Sequence, residues 1–155
     1  MRKLADSLYR IAICLWSGGL WIMGLSAWML FRTLNSRALA GEVAGSLFGL
    51  IAWVGLACAA YLLVFLIARR RWMAFKSSVF WLVLAMLLLT LAGYFGIQPI
   101  LSALKVAAWP GTVMESALKD RFATWHGISS GLYLVQSLLA VVLVLAQERG
   151  LNTAR

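Results

Sequence analysis

Six polar residues near the C-terminus fall in a pattern that could carry chemistry. His126, Ser129, Ser130, Tyr133, Gln136 and Ser137 recur at offsets of 0, 3, 4, 7, 10 and 11. At about 100° per residue these positions share one face of a helix, roughly three turns long. Leu132, Leu134, Val135, Leu138 and Leu139 occupy other positions of the same stretch. Polar groups on a helix in lipid turn towards neighbouring helices or a wet cavity, because hydrocarbon cannot satisfy them. The stripe is therefore expected to point inwards. Two readings stand beside each other. In the first, its hydroxyls and amide join helices, each bond contributing about 0.6 kcal/mol. In the second, the stripe lines a hydrated recess open to the outer surface. The first is favoured.

His126 is the only histidine, and so the one imidazole suited to proton transfer or metal ligation. Glu42 is expected at the same outer end and could pair with it. A structural contact of this kind is favoured over catalysis. Metal binding has little support: one histidine cannot ligate haem from both sides, and no Cys/His cluster has zinc spacing. The six methionines show no M-x-x-M pattern, and soft Cu(I) ligation needs convergent sulfur. A hydrolase is also poorly supported, since there is no G-x-S-x-G elbow. Nor is there a phosphate-cradling loop, because Gly18-Gly19 sits inside a helical run. No catalytic residue, metal site or cofactor is assigned.

The elements that must position these residues follow from composition. Hydrophobic residues make up 63% of 155, and mean hydropathy is +0.90. Soluble domains sit at about 45–50% apolar, so lipid is the expected solvent. Four stretches lack Asp, Glu, Lys and Arg: 11–31, 43–68, 77–104 and 122–147, with lengths of 21, 26, 28 and 26 residues. Each exceeds the roughly 20 residues needed to cross a bilayer. The expected architecture is all-α: one integral membrane domain over 1–155, with helices at about 9–32, 37–70, 76–103 and 113–147. The first run is too long for the ~7–15-residue core of a signal peptide and reads as a retained helix. Asn35 or Ser36 can cap the second helix. Thr112-Val-Met-Glu115 fits a capping box that would open the fourth. Gln98-Pro99 and Trp109-Pro110-Gly111 mark breaks between the third and fourth.

Orientation follows from 14 basic against 5 acidic residues. Arg2, Lys3, Arg10, Arg69, Arg70, Arg71, Lys76, Arg149 and Arg155 fall on one side, and Arg32, Arg37, Lys105, Lys119 and Arg121 on the other. Cytoplasmic loops collect Lys and Arg, so both termini and the middle loop are expected inside. Such charge would suggest nucleic acid in a soluble chain. Between apolar runs it points instead to anionic lipid headgroups, above all at Arg69, Arg70 and Arg71. Trp28, Trp72 and Trp109 read as interface anchors, and Trp16, Trp53 and Trp81 as packing residues. Cys14 and Cys58 lie inside apolar runs and read as packing residues.

Glycines mark expected close approaches. Gly41-x-x-x-Gly45-x-x-x-Gly49 forms one face of the second helix; Gly18 and Gly19 lie in the first, Gly127 and Gly131 in the fourth. Small residues let backbones meet where lipid offers no hydrophobic drive. Packing within the chain is the favoured use. A homodimer surface, or one for another membrane protein, is the sharper alternative.

These residues carry a resemblance. Trp16-Ser17-Gly18-Gly19-Leu20-Trp21 with Phe31, Ala40-Gly41 with Phe48, and Phe122-x-x-Trp125-His126 resemble the transmembrane-protein-205-like family, whose bacterial members are catalogued as domain of unknown function 4149. Trp28 stands where many members carry proline. The resemblance implies a small four-helix membrane protein without an established activity, and no catalytic role for any matching position. The eukaryotic relative's association with tolerance of platinum drugs implies a link to soft-metal or small-solute export. The opening Trp-x-Gly-Gly is similar to the copper resistance protein D family, but that family's further histidines are missing here. The expected function is a multi-pass inner-membrane accessory or interaction protein of bacteria, without catalytic activity. The alternative is a transporter-like protein moving a small solute or soft metal through the helix-four recess.

Overall fold

The computed structural model describes residues 2–109 and 111–151. Pro110 of the expected break, and Arg155 of the basic count, lie outside the described residues. The elements are α1 (Arg2–Thr33), α2 (Arg37–Arg70), α3 (Ser78–Leu91), α4 (Gln98–Ala107) and α5 (Lys119–Leu151). A 3-10 turn over Arg71–Lys76 joins α2 to α3, and a π-helical turn over Ala92–Ile97 joins α3 to α4 without a break. The result is four apolar spans, Lys3–Thr33, Arg37–Lys76, Ser78–Ala107 and Lys119–Arg149. No strand occurs among the described residues. The protein is a four-helix membrane bundle. α1 packs against α2 and α5, and α3 against the same two.

The helices overrun the charge-free stretches that announce them. α1 begins at Arg2, seven residues before the expected start at 9, because its polar first turns are tied down: Arg69 meets Asp6 at 2.6 Å and the Tyr61 hydroxyl donates to the Ala5 carbonyl at 3.1 Å. α2 starts where expected, and the Ser36 hydroxyl caps it by accepting from the Leu39 amide at 3.3 Å. The third span begins at Ser78 rather than 76 and passes straight through Gln98-Pro99 to Ala107 rather than ending at 103. Proline cannot donate to the carbonyl four residues back, and its ring crowds that turn. Here the wider π turn immediately precedes it and absorbs the misfit.

The expected capping box does not form. Val113–Glu115 is a separate 3-10 turn, Thr112 makes no side-chain cap, and Ser116 is extended. The Ser116 hydroxyl donates to the Val113 carbonyl at 2.8 Å and accepts from the Leu118 amide at 3.2 Å. This local bonding competes with helix and delays α5 to Lys119 rather than 113. At 33 residues α5 is still about 50 Å long, well beyond the ~30 Å hydrocarbon core.

Burial is uneven along the bundle. The largest fully buried side chains are Tyr9, Ile13 and Trp16 of α1, Leu62 and Leu66 of α2, Val79, Val83 and Met86 of α3, and Leu143 of α5. All sit in the half that ends at the two termini and the Arg71–Lys76 turn. The other half buries chiefly Ala40, Ala44, Ile97, Leu101 and Leu104, outside the main core. Trp16 is the keystone of the dense half. Its ring is seated on Gly55, where an added Cβ would lie 2.5 Å from the indole nitrogen.

Two further expectations change. Trp53 and Trp81 are more than half exposed, like Trp28, Trp72 and Trp109; each indole N–H finds a partner at its own edge, Tyr94 Oη at 3.0 Å and the Phe75 carbonyl at 2.8 Å. Cys14 is exposed and only Cys58 is buried.

Gly55→Ala is expected to lower stability by about 1–3 kcal/mol, the usual cost of overpacking, read as a drop in the midpoint of detergent-solubilised thermal unfolding. Arg71 caps α2 at φ 49° and ψ −130°, a region costly for any residue with a Cβ. Arg71→Gly should raise the same midpoint, by an amount corresponding to about 1 kcal/mol.

Candidate functional site

The polar stripe of α5 is divided by its surroundings. Its lower part is buried and bonded within the bundle. Gln136 Nε2 donates to Thr90 Oγ1 at 2.7 Å, and that hydroxyl donates to the Met86 carbonyl at 2.9 Å, so α5 is tied to α3 by a two-step chain. The Tyr133 hydroxyl donates to the Leu20 carbonyl of α1, and its ring stands edge-on to Phe48 at 4.8 Å. Ser137 returns its hydroxyl to the Tyr133 carbonyl at 2.9 Å.

The upper part lies at the surface. His126 is exposed and its ring stacks over Phe122 at 5.8 Å. Ser130 is exposed and donates to the His126 carbonyl at 2.9 Å, while Ser129 is half-buried. A hydroxyl that bonds its own helix needs no neighbour, so Ser130 does not require an inward face. Glu42 lies elsewhere, in a recess between α2 and α4. Among the described residues, no hydrogen bond or ion pair joins it to His126.

That recess is open and lined largely by polar side chains. Its volume is about 460 Å³, with Glu42, Gly45, Ser46 and Gly49 on one wall and Tyr94, Gln98, Ser102 and Lys105 on the other. Gly45 and Gly49 of α2 serve here as a floor, whereas Gly41 does not line the recess. A Cβ at Gly45 would lie 3.8 Å from Gln98 Nε2, one at Gly49 3.8 Å from the Tyr94 ring, and one at Gly41 3.8 Å from Phe31. These are ordinary contacts with side chains, not meetings of two backbones. Of the remaining glycines, Gly19 lies tight beneath Ile51, whereas Gly18, Gly127 and Gly131 have open space where a Cβ would stand. Gly55, packed under Trp16 about as tightly as Gly19 is under Ile51, is a close approach that the glycine pattern of the sequence did not single out. Its only sequence signal was its place in an apolar run.

The opposite wall was missed in the sequence because its residues straddle the presumed break at Gln98-Pro99. With the helix continuous, Tyr94, Gln98, Ser102 and Lys105 follow at intervals of 4, 4 and 3 residues, one face of a helix. A second, apolar recess of about 270 Å³ lies between Ser17, Gly18 and Trp21 of α1 and Ala140, Val141, Val144 and Leu145 of α5. No group of three or more His, Cys, Asp or Glu residues that could hold a metal occurs among the described residues.

The basic cluster is also divided. Arg69 pairs with Asp6, and Arg70 Nη2 donates to the Arg149 carbonyl. Arg71 is exposed, beside the exposed Trp72. Arg10 and Glu148 form a further pair at 3.3 Å, more than half exposed on both sides and therefore of small energetic weight.

Residues 11–110 match the family described as Domain of unknown function (DUF4149). The chain belongs to this family. The match spans α1 from Ile11 through α4 and includes both walls of the α2–α4 recess; α5, with Phe122, Trp125 and His126, lies outside it. No curated protein and no solved structure matches the chain.

The Gln136–Thr90 bond sets a coupling that can be measured. Thr90→Val leaves the Gln136 amide without its partner and should cost about 1–2 kcal/mol in detergent-based unfolding, whereas Gln136→Leu removes the need for one. The double variant should be no less stable than Thr90→Val alone. Strict additivity of the two would show that the bond contributes nothing.

Proposed function

We propose that this DUF4149 protein is a non-catalytic accessory protein of the bacterial cytoplasmic membrane that acts by holding another membrane component. Both termini and the Arg71–Lys76 turn face the cytoplasm in this reading. Support for the orientation comes from the basic residues, nine against five between the two ends, and from the tertiary ties among Asp6, Arg69, Arg70 and Arg149 at one end. Arg71, Trp72 and Lys76 would then meet anionic headgroups at the inner surface, since Arg69 already has a carboxylate partner.

The observation that carries the accessory reading is the bonding of the inner stripe. Tyr133, Gln136 and Ser137 all satisfy neighbouring helices or their own helix. Groups that line a conduction path face water or a solute instead. A transporter-like role would therefore have to use the recess between α2 and α4.

Two measurements test this. A fusion reporter after Arg155 should be active only on the cytoplasmic side; activity outside overturns the orientation. Metal analysis of the purified protein should give the same copper and iron content for wild type and His126→Ala. Stoichiometric metal in the wild type that is lost in the variant would replace the accessory reading with soft-metal transport.

A further inference from the structure

Glu42 and Lys105 line the same recess, yet no ion pair joins them among the described residues. Opposite charges held on facing walls of one site ask for a ligand that carries both signs. Around them the walls present the hydroxyls of Ser46, Tyr94 and Ser102 and the amide of Gln98. The Ser46 hydroxyl donates to the Glu42 carbonyl at 3.2 Å, and Tyr94 Oη accepts from the Trp53 indole at 3.0 Å, which leaves the tyrosine O–H free to donate into the recess. From Glu42 to Gly49 the α2 wall runs seven residues, about 10 Å along the helix axis. The charged residues stand near helix ends, five residues after Arg37 and two before Ala107, with Tyr94 and Gly49 deeper. Polar groups at that depth need partners that hydrocarbon does not offer.

We propose that the recess between α2 and α4 binds a zwitterion bearing a primary ammonium and a phosphate, the chemistry of an ethanolamine phospholipid headgroup. The ammonium meets the Glu42 carboxylate, and the phosphate meets Lys105 with donors from Gln98, Ser102 and Tyr94. A purely anionic headgroup would set a negative charge against Glu42. A trimethylated ammonium has no N–H to donate to it. The glycine floor keeps the space: Gly45 and Gly49 are not forced by contact with the opposite wall, but a larger side chain there would occupy the volume. The π turn contributes by carrying the helix past Pro99, so that Tyr94 and Lys105 share one wall; such turns recur at functional sites. This inference goes beyond the accessory reading and does not depend on it.

The test is native mass spectrometry of the full-length, delipidated protein in detergent. The probes are dioleoyl phosphatidylethanolamine, phosphatidylcholine and phosphatidylglycerol, each titrated separately. Phosphatidylethanolamine should be retained about tenfold better than the other two. Glu42→Gln and Lys105→Gln should each reduce that retention about tenfold, the scale of losing one charge-assisted hydrogen bond. Gly45→Leu should abolish it, and because that variant could also disturb folding, the two charge variants at exposed positions decide the outcome. Free O-phosphoethanolamine separates the sources: competition at matched concentration assigns the site to a soluble zwitterion, and lack of competition assigns it to the lipid. Equal retention of the three lipids, or undiminished phosphatidylethanolamine binding in both charge variants, overturns the proposal.

Discussion

Hydrocarbon gives polar groups nothing to bond, and the arrangement of this bundle follows from that constraint. Three hydroxyl-to-carbonyl bonds lace α1 to α5 in antiparallel register: Tyr9 to Gln147 at 3.2 Å, Ser17 to Ala140 at 3.3 Å, and Tyr133 to Leu20. The chain from Gln136 through Thr90 to the Met86 carbonyl fixes α3 against the same helix. α5 thus becomes the element on which α1 and α3 are registered. Each bond contributes modestly, but an unmet amide in the same place would be costly. Register is therefore set as much by penalty as by attraction.

The second organising fact is the difference between the two halves. At the end shared by the termini and the Arg71–Lys76 turn, large side chains close over Trp16 and Gly55. At the other end, Gly45 and Gly49 on α2 face a wall of polar side chains from the π turn and α4. Packing of this kind leaves volume. The π turn is what makes the volume useful, because it lets one helix continue past a proline instead of ending there. A site at the sparse end also agrees with the general finding that function draws on the less densely packed part of a fold.

The family carries no established activity, so the functional reading rests on how polar groups are distributed. Those in the inner half of α5 serve the bundle itself. Those between α2 and α4 face an open recess. His126, the one imidazole, belongs to neither group; it stacks over Phe122 at the surface of α5. Arg69 and Arg70 are engaged at the end of the bundle, so the proposed contact of the basic turn with headgroups narrows to Arg71 and its exposed neighbours.

The number of spans, their order and the all-α class were legible in the chain because they depend on composition and length alone. Runs of 21 to 28 residues without charge can do little else in water or lipid. The Ser36 cap was legible for a similar reason, since a cap is a local bond. Helix ends were less so: Asp6 extends α1 through a partner 63 residues away, and Ser116 delays α5 by a hydroxyl that competes with the expected Thr112–Glu115 box. The polar stripe was visible as spacing, but spacing cannot say which part of a face meets a neighbour. Tertiary packing decided that Tyr133, Gln136 and Ser137 turn in while His126 and Ser130 lie outside. It likewise decided that Glu42 faces Lys105 across a recess rather than His126. Residues 42 and 105 line one recess only because α2 and α4 stand on either side of it and a π turn keeps the second helix unbroken.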